Sequence, residues 1–464
     1  MHEPLAIVDG IVEGRTGRDL LRHVVPLRTV RDTSAHKGGE HLAKTAIISV
    51  DGHVKASRAE YRDYLPSQYL DEYDEQVKAA EQAETPDAGN LHPDLVPDHQ
   101  WDSDLRLESL ERIGVVAEVL FPNGQPFQLN PLDDHPRAAS PELAEAGRQA
   151  YNRWLADFCA REPERRRGQM QTSFADVGRA ITDVRWAKEH GLGGIMLPEL
   201  TPESRAFVDP ELDPVWAACQ EADLPISAHG GASLPDYGPA GFAAMVAVMA
   251  ENAFFSNRSL WMLISGGVFD RFPDLRVSYV ETQAYLLVAA LQHLDSMANP
   301  AGDWMGFART MNREQTTDRL GTEYLGRNVF VGISPFSSVQ ITMDDLVGKD
   351  AAGRSLPGAH IGVDAAMFGV DYPQYESIFE RSMTEVAALV TTPGVTDTDV
   401  RKILLDNAAK VYGFDLEALQ PHIDRVGFEL DEVRAGAADS TRAVPQETKA
   451  PVMRSSLARA GVSR

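Results

Sequence analysis

Five side chains stand where short apolar runs give way to polar residues, and all five are nitrogen or oxygen donors. Asp51 and His53 end TAIISVDGH, His229 ends PISAH, Glu281 ends RVSYVE and Asp371 ends AAMFGVD. Imidazole and carboxylate donors of this kind share one divalent ion of the Zn, Mn or Fe type. Asp51 and His53 are two residues apart, so on a strand both project to the same side. Each residue also has a plainer use. D-x-H recurs by chance, a His in an AHGG turn caps or packs, and Asp371 in GVDYP is a good helix cap. The weight comes from their shared placement at strand ends, in order along the chain.

The elements that would position them are legible as an alternation. Eight short apolar runs are separated by stretches of helical period: TAIISVDGH, VVAEVLF (115–121), GQMQTSF (168–174), GGIMLP (193–198), PISAH (225–229), RVSYVE (276–281), NVFVGIS (328–334) and AAMFGVD (365–371). Strand and helix in strict alternation predict a parallel sheet, because parallel neighbours need crossover helices. Eight such units suit a closed (β/α)8 TIM barrel. An open doubly wound sheet would show a Gly-rich phosphate turn after its first strand, and VDGHVKAS has none. In a barrel, the C-terminal strand ends form the catalytic mouth, which is where the five donors fall.

The expected organisation is an α/β fold in three parts: an N-terminal extension (1–44), the barrel (45–415), and a C-terminal helix with a polar tail (416–464). Residues 70–100 form an acidic insertion after the first strand, read as a wall or lid over the mouth or as a solvated loop. Residues 238–268, rich in Ala and Met, read as a buried or interface-forming helix pair, and Glu251, Asn252 and Arg258 argue against a membrane span. His360, in LPGAHIG, precedes the last strand and reads as structural. Arg58, Arg62, Arg258 and Arg327 are candidate anion holders, although surface ion pairing is the commoner use of Arg.

The bulk numbers set limits on function. The 464 residues are 43% hydrophobic and carry a formal charge of −25. A sizeable core is available, and so acidic a surface repels phosphate backbones and anionic lipid, which excludes nucleic acid and membrane as expected partners. Cys159 and Cys219 are too few for a Cys-only zinc site, and they read as buried thiols in a reducing cytoplasm. The N-terminus lacks the basic start and apolar run of a signal peptide.

The chain resembles the amidohydrolase-related family, in the branch that includes aminocarboxymuconate-semialdehyde decarboxylase. The resemblance rests on SVDGHVKAS with YRDYLPSQY, WDSDLRLESLERIGVVAEVLFPN, YNRWLADFCAREPERRRGQ, GIMLPEL, DPVWAACQEADLPISAHGG, GGVFDRFPDLRVSYVE, MFGVDYPQYES and DNAAKVYGFD, in order over roughly residues 46 to 415. It implies that Asp51, His53, His229 and Asp371 hold one divalent metal ion, Zn first with Mn or Fe as alternatives. It implies catalytic roles for Asp371 and His229, a small-molecule substrate and a homodimer or higher homo-oligomer, while Glu281 reads from its own chemistry as a catalytic proton shuttle or a fifth ligand. A divalent ion lowers the pKa of bound water toward ~7, and a carboxylate such as Asp371 can take the proton.

Three positions depart from the better-known decarboxylases of that branch. Asp51 stands where they have His or Glu, Glu281 where they carry a His, and Gln374 where they carry another. Since the His at the position of Glu281 is the expected proton donor to carbon, the sequence puts a hydrolase first, acting on a small, carboxylated amide, ester or lactone. A non-oxidative decarboxylase is the alternative. A metal-free barrel with altered or no catalysis is the third reading.

Overall fold

In a computed structural model the chain divides into two compact units, Met1–Leu42 and Ala43–Arg464. The structure describes residues 44–82, 87, 90–127, 140–198, 200, 205–231, 241–298, 317, 319–333 and 360–440. The expected N-terminal extension, apart from Lys44, and the tail from 441 lie outside the described residues.

Eight strands form one parallel sheet in the order β1 to β8: β1 (Ile47–Val54), β2 (Val115–Pro122), β3 (Arg166–Met170), β4 (Gly194–Met196), β5 (Ile226–His229), β6 (Val277–Val280), β7 (Val329–Ile333) and β8 (Ala366–Phe368). Helices lie between consecutive strands from β1 to β7, and the sheet meets itself where Gly52 bridges Tyr372 in parallel. Two main-chain bonds support the seam: Asp371 N–H to the Asp51 carbonyl (2.9 Å) and His53 N–H to the Tyr372 carbonyl (2.7 Å). The fold is a (β/α)8 barrel. All eight residues of β1 are buried, as a strand with both faces covered must be, and the near-continuous apolar run IISV follows from that.

The strand boundaries differ from expectation mainly at β3, which runs from Arg166 to Met170 rather than 168–174. The pair Arg165–Arg166 disguises its start. Both are buried, and the two Nη atoms of Arg166 donate to the Phe158 carbonyl and Ser103 Oγ, each at 3.0 Å. A buried charge that is hydrogen-bonded and lies beside a carboxylate, as Arg166 does beside Glu118 at 3.8 Å, is compatible with a strand, but hydropathy alone does not show it.

The core has two parts. The larger one joins the strands to the surrounding helices, with Trp154, Trp216 and Tyr151 fully enclosed. In the smaller one, Ile48, Val50, Val119, Val280, Phe330 and Met367 of the strands meet Leu405, Tyr412, Leu419 and Ile423 near the C-terminus. Helix Leu416–Val426 enters it through Leu419 and Ile423, one turn apart on the same face, and starts from an Asp415 cap. Phe428 and Thr45 then exchange main-chain hydrogen bonds of 2.9 and 3.0 Å. Cys159 and Cys219 are both buried and free.

The insertion after β1 forms helix Leu70–Gln82 and then leans on the loop that follows β8. His92 N–H donates to the Pro373 carbonyl (2.8 Å), and Asn90 Nδ2 donates to Glu376 (2.9 Å) and to Gln374. It is therefore a wall at the mouth of the barrel. Residues 241–256 and 258–265 form the expected helix pair, and the first carries exposed Phe242, Val246, Met249 and Phe254. Among the described residues, no helix is long and apolar enough to cross a membrane.

Candidate metal centre

The five donors converge although they are as much as 320 residues apart in sequence. A register shift between Ser49 and Gly52 places a bulge in β1 at Asp51, and bulges re-aim side chains. Ser49 Oγ secures it, donating to the Asp51 carbonyl (2.8 Å) and accepting from Val370 N–H (3.0 Å). His229 ends β5. Glu281 and Asp371 lie just past β6 and β8, not on them, as the strand-end expectation had placed them. Both hold left-handed backbone, with φ of 57° and 61°. That conformation interrupts the alternation of the strand and turns the carboxylates toward the mouth. It costs on the order of 1–3 kcal/mol per residue and tends to persist where function requires it. The turn is also tight: a Cβ on Gly230 would sit 2.5 Å from the Glu281 carbonyl, so only glycine fits.

The donor atoms are close-set and dry. His53 Nδ1 lies 3.0 Å from Asp371 Oδ1 and 3.8 Å from Asp51 Oδ1. His229 Nε2 lies 3.4 Å from Asp51 Oδ1 and 3.6 Å from Glu281 Oε2. Two sets, Asp51–His53–His229 and His53–Glu281–Asp371, each bring one donor atom per residue within 4.8 Å of the others. Asp51 and Asp371 are completely buried, and the Glu281 side chain is 13% exposed. Phe121 covers the imidazoles, with its ring centre 4.4 Å from that of His229.

Burial of so many like charges has electrostatic consequences. Burial, then the charges of Asp51 and Glu281, push the Asp371 carboxyl well above the usual range. Burial raises Glu281 to about 8, although His229 pulls the other way. Burial and neighbouring His229 lower His53 to about 3. Burial would lower His229 too, but its hydrogen bond and charge attraction to Asp51 raise it to about 9. Without a cation, protons have to neutralise the ring.

The residues fit a divalent ion. Both Asp371 oxygens are buried and accept no hydrogen bond among the described residues, and His53 Nδ1 likewise lacks a partner of hydrogen-bond geometry. A buried carboxylate without donors calls for a cation, and a mixed imidazole–carboxylate set suits Zn, Mn or Fe.

The other residues singled out from sequence lie elsewhere. Gln374 donates its N–H to the Asp371 carbonyl (3.0 Å) and so braces a donor residue. Arg62 pairs with Asp74 at the surface, and Arg258 lies over the Phe255 ring. His360 is half-buried ahead of β8. Sequence reasoning missed Lys55, just past the end of β1, which pairs with Asp87 of the insertion. It also missed Arg106 and Glu118, a fully buried pair beneath the β1 donors. The spacing D-x-H-x-K signalled the first; nothing local signalled the second.

The sequence matches the amidohydrolase family profile over residues 92–414. Similar solved structures include an amidohydrolase from Mycobacterium avium subsp. paratuberculosis K-10, 18% identical over 80% of this chain and 99% of that one, with a TM-score of 0.55. A 2,6-dihydroxybenzoate decarboxylase from Rhizobium is 17% identical over 80% of this chain and 99% of that one (TM-score 0.51). A 5-carboxyvanillate decarboxylase from Novosphingobium aromaticivorans DSM 12444 with bound manganese is 18% identical over 82% and 100% (TM-score 0.53). A comparison with curated proteins gives no match. Structural likeness at these identities speaks to the fold, whereas the profile covers most of the barrel: the chain belongs to the amidohydrolase family.

Proposed function

We propose that the chain is a metal-dependent carboxy-lyase that removes CO2 from a small carboxylated molecule, with hydroxylated aromatic acids as the first substrate class. The observation that carries this reading is the convergence of Asp51, His53, His229, Glu281 and Asp371 in one buried cluster at the mouth of the barrel. The substrate class draws on the decarboxylases that share the barrel, and it moves decarboxylation ahead of the hydrolysis put first from sequence.

Asp51, His53, His229 and Asp371 would hold the ion, with Mn a candidate beside Zn and Fe because one similar structure carries manganese. When bound, a divalent cation supplies positive charge that draws in substrate oxygens and steadies the negative charge of the reacting molecule. The chain supplies the rest. Phe121 and the buried strand ends keep water out, which strengthens electrostatic control inside. Glu281 sits at the more exposed edge of the cluster, where substrate enters, and holds a proton on its carboxyl. In the proposed step that proton forms the new C–H bond at the carbon that loses CO2. The electrons of the broken C–C bond stay with the substrate, CO2 leaves, and Glu281 regains its proton from water.

The test is product analysis with the Mn2+-loaded protein and a panel of ortho-hydroxylated benzoates, run in D2O. The proposal expects CO2 and a product with one deuterium at the vacated carbon. Hydrolysis of lactones or amides without CO2 release from any acid would overturn it. Hydrolysis is kept as a second reading by one observation: the Asp371 oxygens accept no hydrogen bond among the described residues and could take a proton from attacking water.

The partners proposed are a small-molecule substrate and further copies of the same chain. Helix Gly241–Ser256 has Glu251 as its single charged residue and several exposed apolar side chains. On a chain with a net charge of −25, a face without charge is where two copies can meet with least repulsion.

A further inference from the structure

Arg106 lies on helix Ser103–Glu111, outside the donor cluster, yet its side chain is fully buried and all five of its N–H donors are engaged. Nε and Nη2 grip the Glu118 carboxylate at 2.8–3.0 Å. Nη1 donates to the carbonyls of His53 (2.9 Å) and His99 (3.2 Å), and Nη2 also donates to the carbonyl of Tyr372 (3.1 Å). The guanidinium lies over the Tyr372 ring, 4.9 Å from its centre, and the Tyr372 hydroxyl bonds His99 Nδ1.

These contacts fall on both sides of the seam that closes the barrel. His53 is a donor residue on β1, and Tyr372 directly follows Asp371. The spacer in D-G-H belongs to the same construction. A Cβ on Gly52 would meet Arg106 Nη2 at 3.1 Å and Glu118 Oε2 at 3.2 Å, so glycine leaves room for the ion pair beneath the donors.

We infer that Arg106 is a positioning residue for the metal centre: its guanidinium, neutralised by Glu118, sets the spacing between the β1 donors and Asp371. The inference rests on the reading of that cluster as a divalent-cation site. Only a rigid fork of five donors spans a carboxylate and three carbonyls; the three donors of a Lys ammonium sit on one point. A metal ion is sensitive to such support, because groups that orient ligands typically change affinity 10–100-fold when removed.

The experiment titrates Mn2+ into metal-free protein by calorimetry and records the visible spectrum of Co2+-substituted protein. It compares the natural chain with Arg106→Lys, with the double variant Arg106→Met/Glu118→Gln, and with Arg166→Gln. The double variant removes both charges of the Arg106–Glu118 pair and leaves Arg166 its bonds to Phe158 and Ser103, so it gives a second readout where Arg106→Lys does not fold. Arg166 is an equally buried arginine 3.8 Å from Glu118, but it holds Phe158 and Ser103 instead of the seam. The Arg106 variants are expected to weaken Mn2+ binding by about 10–100-fold and to shift the Co2+ bands. Arg166→Gln should lower the melting temperature and leave both metal readouts in place. Unchanged affinity and spectrum in the Arg106 variants, or equal weakening in Arg166→Gln, would overturn the inference. A natural chain that binds no Mn2+ would overturn the metal reading itself, and this inference with it.

Discussion

Glu281 is the residue on which the chemistry turns. As a proton donor to carbon it should be removable without loss of the ion, so Glu281→Gln is expected to lower kcat by about 10²–10⁴-fold while metal stoichiometry stays unchanged. Loss of the ion in that variant would make Glu281 a ligand instead. The charges of the ring also predict how metal-free protein responds to pH. Glu281 (about 8), Asp371 (raised) and His229 (about 9) bind protons more tightly folded than unfolded, so their stabilisation fades as pH rises through those values. His53, lowered to about 3, acts in the opposite sense and costs stability only as pH falls below about 6.5. Melting temperature of the metal-free protein should therefore fall between pH 6.5 and 9, and saturating Mn2+ should flatten the slope; a rise over that range would contradict the account. At this scale the sequence was informative about residue type, since all five donors could be named from strand ends. It was silent about the left-handed backbone at Glu281 and Asp371, because neither is glycine and nothing local marks the turn.

At the scale of elements, the site depends on how the barrel closes. The seam between β1 and the end of β8 has one bridge, Gly52 to Tyr372, and leans on Ser49, Arg106 and the wall formed by the insertion. The alternation of apolar runs and helical stretches exposed all eight strands, since period and β-branched content suffice for buried parallel strands. It could not expose the Arg106–Glu118 pair, whose partners come from separate elements: a charge pattern within one helix does not report a carbonyl on a distant strand. The C-terminal helix is the other element whose role needed the structure. Leu419 is fully buried in the core shared with Tyr412 and the strands. Leu419→Ala is expected to destabilise the protein by about 2–5 kcal/mol, with Mn2+ affinity unchanged because the helix touches no donor. A stability loss under ~0.5 kcal/mol in denaturant titration would show that this helix does not complete the core.

For the whole molecule, charge and exposed apolar surface make opposite demands. A net charge of −25 keeps copies apart, while Phe242, Val246, Met249 and Phe254 are exposed apolar side chains on a nearly uncharged helix. Sedimentation equilibrium is expected to show a dimer or larger, shifted toward monomer by Phe254→Asp; a pure monomer in the natural chain would refute this. The central claim, however, is that the donors from β1, β5 and the loop after β8 form one divalent-cation centre, and the most direct measurement is Mn2+ titration of metal-free protein beside its Asp371→Asn variant. The natural protein is expected to bind about one ion per chain, the stoichiometry of a single mixed imidazole–carboxylate site, and the variant to lose at least tenfold in affinity. No binding by the natural protein, or equal binding by both, would contradict it.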